Sequence, residues 1–267
     1  MGRMIYGRYS DNVVPAASLA VESGTGDPDY PAANLADRVV AIPAQLTTTT
    51  GAWKLTFGAA QRIDVVALPH HNLTAGLEVR FQGNAADAWG APTLNGLITI
   101  PAYRGDGFPP GAWLDLTGVA GYSAAGFQYW RLVIVGVNAA PVKVGELVAL
   151  SQKRTLNPNV SWGASRKDER PIIENVTDYL VSTIYDLGVT RRSLSGDVDT
   201  TDAGLALVRA WWEDTRGRAR PFLLIPDEDV NEAWFVRWDG DLNPTLQITD
   251  RNTIPMNFQE VSRGLYL

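Results

Sequence analysis

Residues 200–225 read TTDAGLALVRAWWEDTRGRARPFLLI, and the rest of the chain is read outward from them. Thr200 or Thr201 can accept from the first free amides of a helix, and Asp202 sits where a helix N-terminus favours negative charge. Leu205, Val208 and Trp212 recur at helical spacing, and Trp211 and Leu207 widen the apolar stripe. Gly217 supplies a left-handed stop after Arg216. The expected helix covers 202–216, packs through Leu205, Val208, Trp211 and Trp212, and runs into a strand at Pro221–Ile225. A lone helix with two tryptophans among β segments has to bury its stripe against a sheet or barrel.

The surrounding chain is built for strands. Its 267 residues include 25 glycines and 16 prolines and are 45% hydrophobic, which fits short strands joined by turns and enough apolar surface for two cores. Up to about residue 50 the chain reads mostly as loop. Trp53, Leu55 and Phe57 then alternate, as do Leu77, Val79 and Phe81, whereas Ile63 and Val65 to Leu68 form a nearly continuous apolar strand. Further strands fall at 97–103, 113–116, 129–135 and 142–150, so residues 1–150 are expected to form an antiparallel β-sandwich. The polar run SQKRTLNPNVSWGAS, residues 151–165, is the expected linker. Residues 166–267 then form a small β-barrel or sandwich with the helix laid against it. Its strands are expected near 172–173, 179–186, 221–225, 233–238, 246–248 and 256–261, with GVTRRSLSGDVDTT, residues 188–201, as a loop.

Charge and composition narrow the function. The net charge of -6 divides into 9 basic against 11 acidic residues up to Leu150 and 14 against 18 after it, so neither half offers a basic nucleic-acid surface. The absence of cysteine excludes disulfides, thiolate zinc sites and cysteine nucleophiles. The first residues lack an apolar export segment and no apolar run approaches the ~18 residues of a membrane span, so a soluble chain is expected. His70 and His71 are neighbours at a strand end, where they point to opposite faces and make a poor metal pair. Asp227, Glu228, Asp229 and Glu232 offer calcium-type oxygens without the spacing of a calcium loop, which favours a solvated or partner-facing turn. Glu213 and Asp214 diverge on the helix. Ser193 and Ser195 match no nucleophile motif, and the glycines at 24 and 105 lack a phosphate-loop context. Trp89 or Trp113 could stack on a sugar. The chain therefore reads as a non-enzyme without metal or cofactor.

Three segments carry a resemblance. PAANLAD (31–37), WKLTFGAAQRIDVVALPHHNL (53–73) and FQYWRLVIV (127–135) resemble the galactose-binding-like, discoidin-type sandwiches attached to many bacteriophage tail proteins. The order of strands and helix over residues 165–267 resembles the tail-tube-like domain of phage distal tail and baseplate hub proteins, though the ring-forming domain there precedes the sandwich. The resemblance implies a virion tail component, assembled in the host cytoplasm, that forms a ring around the tail axis. A hexamer is favoured over a trimer, and tail tube, hub and tail fibre are its neighbours. Arg191, Arg192, Arg216, Arg218 and Arg220 would then meet Asp227, Glu228 and Asp229 of the next copy. The alternative is a carbohydrate-binding module that recognises a host surface glycan through the sandwich.

Overall fold

A computed structural model describes residues 3–39, 41–102, 111–156, 165–169, 172–176, 182–186, 191–248 and 251–261. Gly105, the expected linker beyond Leu156 up to residue 164, and Tyr179 and Leu180 lie outside the described residues. The strands in the first part are β1 (Ile5–Tyr6), β2 (Ser18–Ser23), β3 (Ala44–Gln45), β4 (Gly51–Gln61), β5 (Val65–His71), β6 (Glu78–Asn84), β7 (Leu94–Thr99), β8 (Ala112–Asp115), β9 (Phe127–Ile134) and β10 (Lys143–Leu150). There follow β11 (Arg154–Thr155), β12 (Ser165–Glu169), β13 (Ile172–Val176), β14 (Ser182–Asp186), β15 (Arg191–Thr200), the helix α1 (Asp202–Asp214), β16 (Phe222–Ile225), β17 (Trp234–Trp238), β18 (Thr245–Ile248) and β19 (Arg251–Glu260). The protein is mainly β, with one α-helix among the described residues, and every strand pair among them is antiparallel.

The elements stack in four layers. A five-stranded sheet, ordered β2-β4-β9-β6-β7, faces a four-stranded sheet, β3-β10-β5-β8. The core between them holds Trp53, Phe81, Trp130 and Leu132 from the first sheet and Val66, Leu68, Val144 and Ala149 from the second. The four-stranded sheet buries its other face too. Val65, Ala67, Val148 and Leu150 pack there against Ile5, Leu223, Ile225 and Phe235 of an eight-stranded sheet. This explains the unbroken apolar run of β5: period-two alternation puts successive residues on opposite faces, and here both faces are dry. The eight-stranded sheet runs β11-β1-β16-β17-β19-β15-β12, with β18 on β19, and α1 covers its far face.

The helix begins and ends as its residues dictate. Thr201 is its N-cap and accepts from the Gly204 amide at 3.3 Å. Arg216 and Gly217 both take left-handed backbone, φ 51° and 60°, so regular helix stops at Asp214, two residues before the expected Arg216. A Cβ on Gly217 would come within 2.8 Å of the Trp212 ring, so this position needs glycine for space as well as for φ. Leu205, Val208 and Trp211 are buried; Trp211, expected only to widen the stripe, sits at its centre, and Trp212, placed on the stripe by its spacing, packs at the edge. Leu207 is 57% exposed and does not belong to the stripe. The Trp211 ring lies 4.1 Å from Tyr6, 5.0 Å from Phe222, 4.7 Å from Trp238 and 5.6 Å from Phe258, centroid to centroid, touching four strands.

Several expectations change. The eight-stranded sheet starts and ends on different strands, so among the described residues it is open where a closed barrel was an option. Residues 191–200 are a central strand in place of a loop. Eight register pairs with β19 and burial of Leu194 and Val198 under the helix outweigh the weak strand preference of Ser, Gly and Asp. β2 adds an edge strand within the first 50 residues. The division at 150 and 165 is crossed by the eight-stranded sheet itself, because β1 pairs with β16 and with β11.

Phe235→Ala, which opens a hole in the apolar layer shared by the two larger units, is expected to cost about 3–5 kcal/mol in chemical denaturation. Circular dichroism and tryptophan fluorescence should follow one coincident transition in the parent chain. Two separated steps would show that the units are stabilised independently.

Candidate functional site

Two sheet edges and a turn of the eight-stranded sheet converge on one open groove. β7 ends the five-stranded sheet, β8 ends the four-stranded sheet, and the turn 226–233 joins β16 to β17 in the eight-stranded one. The groove has a volume of about 290 Å³ and is lined by Leu97 and Thr99 from β7, Trp113, Leu114 and Asp115 from β8, and Glu228, Asp229 and Asn231 from the turn. Its approach is tight. Gly111 bridges Ala233, whose amide donates to the Gly111 carbonyl at 2.9 Å, and a Cβ at Gly111 would meet the Ala233 oxygen at 2.2 Å.

The groove is held before anything enters it. The Trp113 indole donates to the Val230 carbonyl at 3.1 Å, and the Trp113 amide donates to Asn231 Oδ1 at 3.2 Å. The Asn231 side-chain amide donates in turn to the Thr99 carbonyl, tying β7, β8 and the turn through one side chain. Asp115 Oδ1 accepts from the Thr117 amide and hydroxyl, and Lys153 Nζ reaches Asp115 Oδ2 at 2.8 Å and Glu228 at 3.7 Å. Glu228 also accepts from the Arg3 amide at 3.2 Å. Asp229 is exposed. Burial pushes the Asp115 carboxyl up, but the Lys153 ammonium and the Thr117 donors outweigh it and leave it below the ordinary carboxylate range. Asp115 is thus an ionised acceptor with no proton to deliver. An oriented indole, an exposed leucine and carboxylate acceptors can together hold a molecule with an apolar face and hydroxyl or amine donors.

The structure separates the residues expected to form a charged interface. Arg192 is buried. Its guanidinium donates to Glu232 and Glu260, with the Nε to Glu260 contact at 2.8 Å, and lies 4.6 Å from the Trp234 ring centroid. It locks the groove turn to β15 and β19 and cannot face another copy, a correction that follows from two buried carboxylates needing a cation. Arg220 lies over the Tyr9 ring at 4.3 Å and donates to the Asp214 carbonyl. Asp227 accepts from the Asp229 amide at 3.1 Å, and Glu228 turns into the groove. Arg216 is exposed, and Arg218 is exposed with Asp239 3.4 Å away. Arg191 lies in β15, its side chain outside those described. These groups do not assemble into one basic and one acidic edge.

The remaining candidates fall elsewhere. His70 is 5% exposed within β5, where a surface or turn position was expected, because the sheet is covered on both faces. His71 Nδ1 accepts from the Leu73 amide at 3.1 Å. Trp89 is half-buried; its indole donates to Asp87, and the Arg131 guanidinium sits 4.6 Å over the ring, so one stacking face is occupied. Asp214 accepts from the Ser10 amide at 3.0 Å, while Glu213 is exposed. Ser193 donates to the Lys167 carbonyl. Among the described residues no three acidic or histidine side chains form a metal cage. Sequence reading missed Leu97, Thr99, Asp115, Lys153 and Asn231. Only Leu97 left a trace, as an apolar residue on the outward phase of LNGLIT.

No protein-family model matches the chain, and no curated protein matches it. Among solved structures, a fucose-binding module from Streptococcus pneumoniae is similar at 8% identity and TM-score 0.39, over 53% of this chain and 98% of that one. A family 32 carbohydrate-binding module of Clostridium perfringens NanJ, solved with galactose, is similar at 7% identity and TM-score 0.38, over 55% and 98%. A Ruminococcus gnavus fucosidase in complex with fucose matches at 13% identity and TM-score 0.40, over 54% of this chain and 27% of its own length.

The Asp115 contribution carries a pH sign. Its folded value is depressed, so its stabilising effect is complete above the unfolded-state value near ~3.9 and is lost as pH falls through the folded one. Asp115→Asn is expected to lower stability at neutral pH and to flatten the acid limb of the stability profile below about pH 4, as read by urea melts across pH. An unchanged acid limb would show that the Lys153 pair contributes nothing.

Proposed function

We propose that this chain is a carbohydrate-binding protein that holds a sugar in the groove between β7, β8 and the 226–233 turn. The observation that carries the reading is Trp113, fixed by its Nε1 bond to Val230 and set beside Asp115, Glu228 and Asp229. Indole faces stack on the C–H faces of a pyranose, and carboxylates accept from its hydroxyls, so one ring can satisfy both sides at once.

The second reading is self-association into a tail ring. The observation favouring it is the part of the eight-stranded sheet formed by β15 and β19, whose face away from α1 presents Ser195, Asp197, Asp199 and Asn257, all exposed. That face is polar among the described residues. Mass photometry at micromolar concentration is expected to give a six-fold or three-fold assembly on this reading, and a monomer at every concentration removes it.

For the sugar reading, Trp113→Ala is expected to lower affinity for the best glycan on an array at least tenfold, or about 1.4 kcal/mol, measured below the melting transition of the variant, which loses the Val230 hydrogen bond and the Trp113 packing on the apolar layer. Wild-type protein that retains no glycan, or a Trp113→Ala variant that binds as tightly, would refute it.

A further inference from the structure

The side chains around the groove between β7, β8 and the 226–233 turn spend their donors on one another. The Trp113 indole donates to the Val230 carbonyl, and the Asn231 side-chain amide donates to the Thr99 carbonyl. The Thr117 hydroxyl donates to Asp115, and Lys153 Nζ reaches Asp115 Oδ2 at 2.8 Å and Glu228 Oε2 at 3.7 Å. Among the lining side chains this leaves the Thr99 hydroxyl, which donates or accepts as its partner requires.

Acceptors remain in excess. A carboxylate offers about four lone-pair sites, and Glu228 Oε1 takes only the Arg3 amide, at 3.2 Å. Asp229 uses its amide on Asp227 at 3.1 Å, while its exposed carboxylate has no partner among the described residues. Charge is uneven in the same sense. Asp115, Glu228 and Asp229 face two cations, Lys153 and Arg3, and Arg3 is 70% exposed with its Nε 3.8 Å from Glu228, a pair that solvent screens. Arg80, opposite Leu97 on β6, is already paired with Glu78.

On the reading that this groove holds a sugar, we propose that the sugar carries a free primary amine: an unacetylated amino sugar of the glucosamine class. An ammonium brings three donors, no acceptor and a positive charge, which matches what the lining leaves open. Its place is between Glu228 and Asp229, with the C–H face of the ring against Trp113 and Leu97. Acetylation removes the charge, leaves a single N–H and adds a carbonyl acceptor among acceptors. A uronic acid brings like charge to the same wall.

The test is calorimetric titration of the full chain with a glucosamine oligomer, its N-acetylated counterpart, a galacturonic acid oligomer and a short lysine peptide, at mildly acidic pH and at low and high salt. The glucosamine oligomer is expected to bind about tenfold more tightly than the acetylated one at low salt. That preference should shrink as salt rises, and the galacturonic acid oligomer should not bind. Asp229→Asn, at an exposed side chain whose backbone bonds are kept, should cut the preference about threefold. Asp239→Asn, which removes an exposed carboxylate outside the groove, should leave it unchanged. Equal affinity for the two glucosamine oligomers, a preference that survives Asp229→Asn, or a lysine peptide bound as tightly as the amino sugar would overturn the amine assignment while the sugar reading stands. Failure of every oligosaccharide to bind would remove both.

Discussion

The structure depends on one sheet being dry on both sides. β5 and β10 give alternate residues to two different cores, Val66 and Leu68 to one and Val65 and Ala67 to the other. A sheet that is half-solvated tolerates polar residues on every second position; this one tolerates almost none, and each buried aliphatic side chain contributes about 1.5–3 kcal/mol. The consequence is mechanical. The sandwich and the helix-backed sheet are joined by a continuous apolar layer, so their edges hold a fixed relation to each other.

That fixed relation makes the groove possible. Three strands and turns from three sheets can form a common wall only if the sheets do not slide, and Gly111 at 2.9 Å from Ala233 has no room for slack. Arg192 serves the same end from beneath by holding Glu232, the residue after the groove amide Asn231, to Glu260 on β19. At the opposite face of the layer, Tyr9 between Arg38 and Arg220 joins the first residues, the sandwich and the segment after α1. Both sets of polar contacts lie at the margins of the apolar layer, where charged groups can be partnered without entering it.

Much of the fold was legible because periodicity is local. Trp53, Leu55 and Phe57, and then Leu205 and Val208, announce their buried faces by spacing alone, whereas the continuous apolar run of β5 read only as a core strand of a sandwich and owes its second buried face to the eight-stranded sheet packed behind it. The tail-ring reading built on charge fared differently. Arg192 and Arg220 look like solvated cations in sequence, yet one pairs with two buried glutamates and the other stacks on Tyr9. Nothing in a run of residues records which distant carboxylate or ring will face a guanidinium.

The sequence by itself determined the antiparallel β class, the single capped helix and the residues that turn inward, because these follow from side-chain spacing and backbone preference within a few residues. Only the tertiary structure decided that residues 191–200 are a central strand, that β1 joins a sheet built mostly from residues beyond 150, and that Trp113 and Glu228, 115 positions apart, line one groove. The reason is that pairing partners and groove walls are chosen by long-range packing of whole layers, and the energy that selects them is shared among residues far apart in the chain.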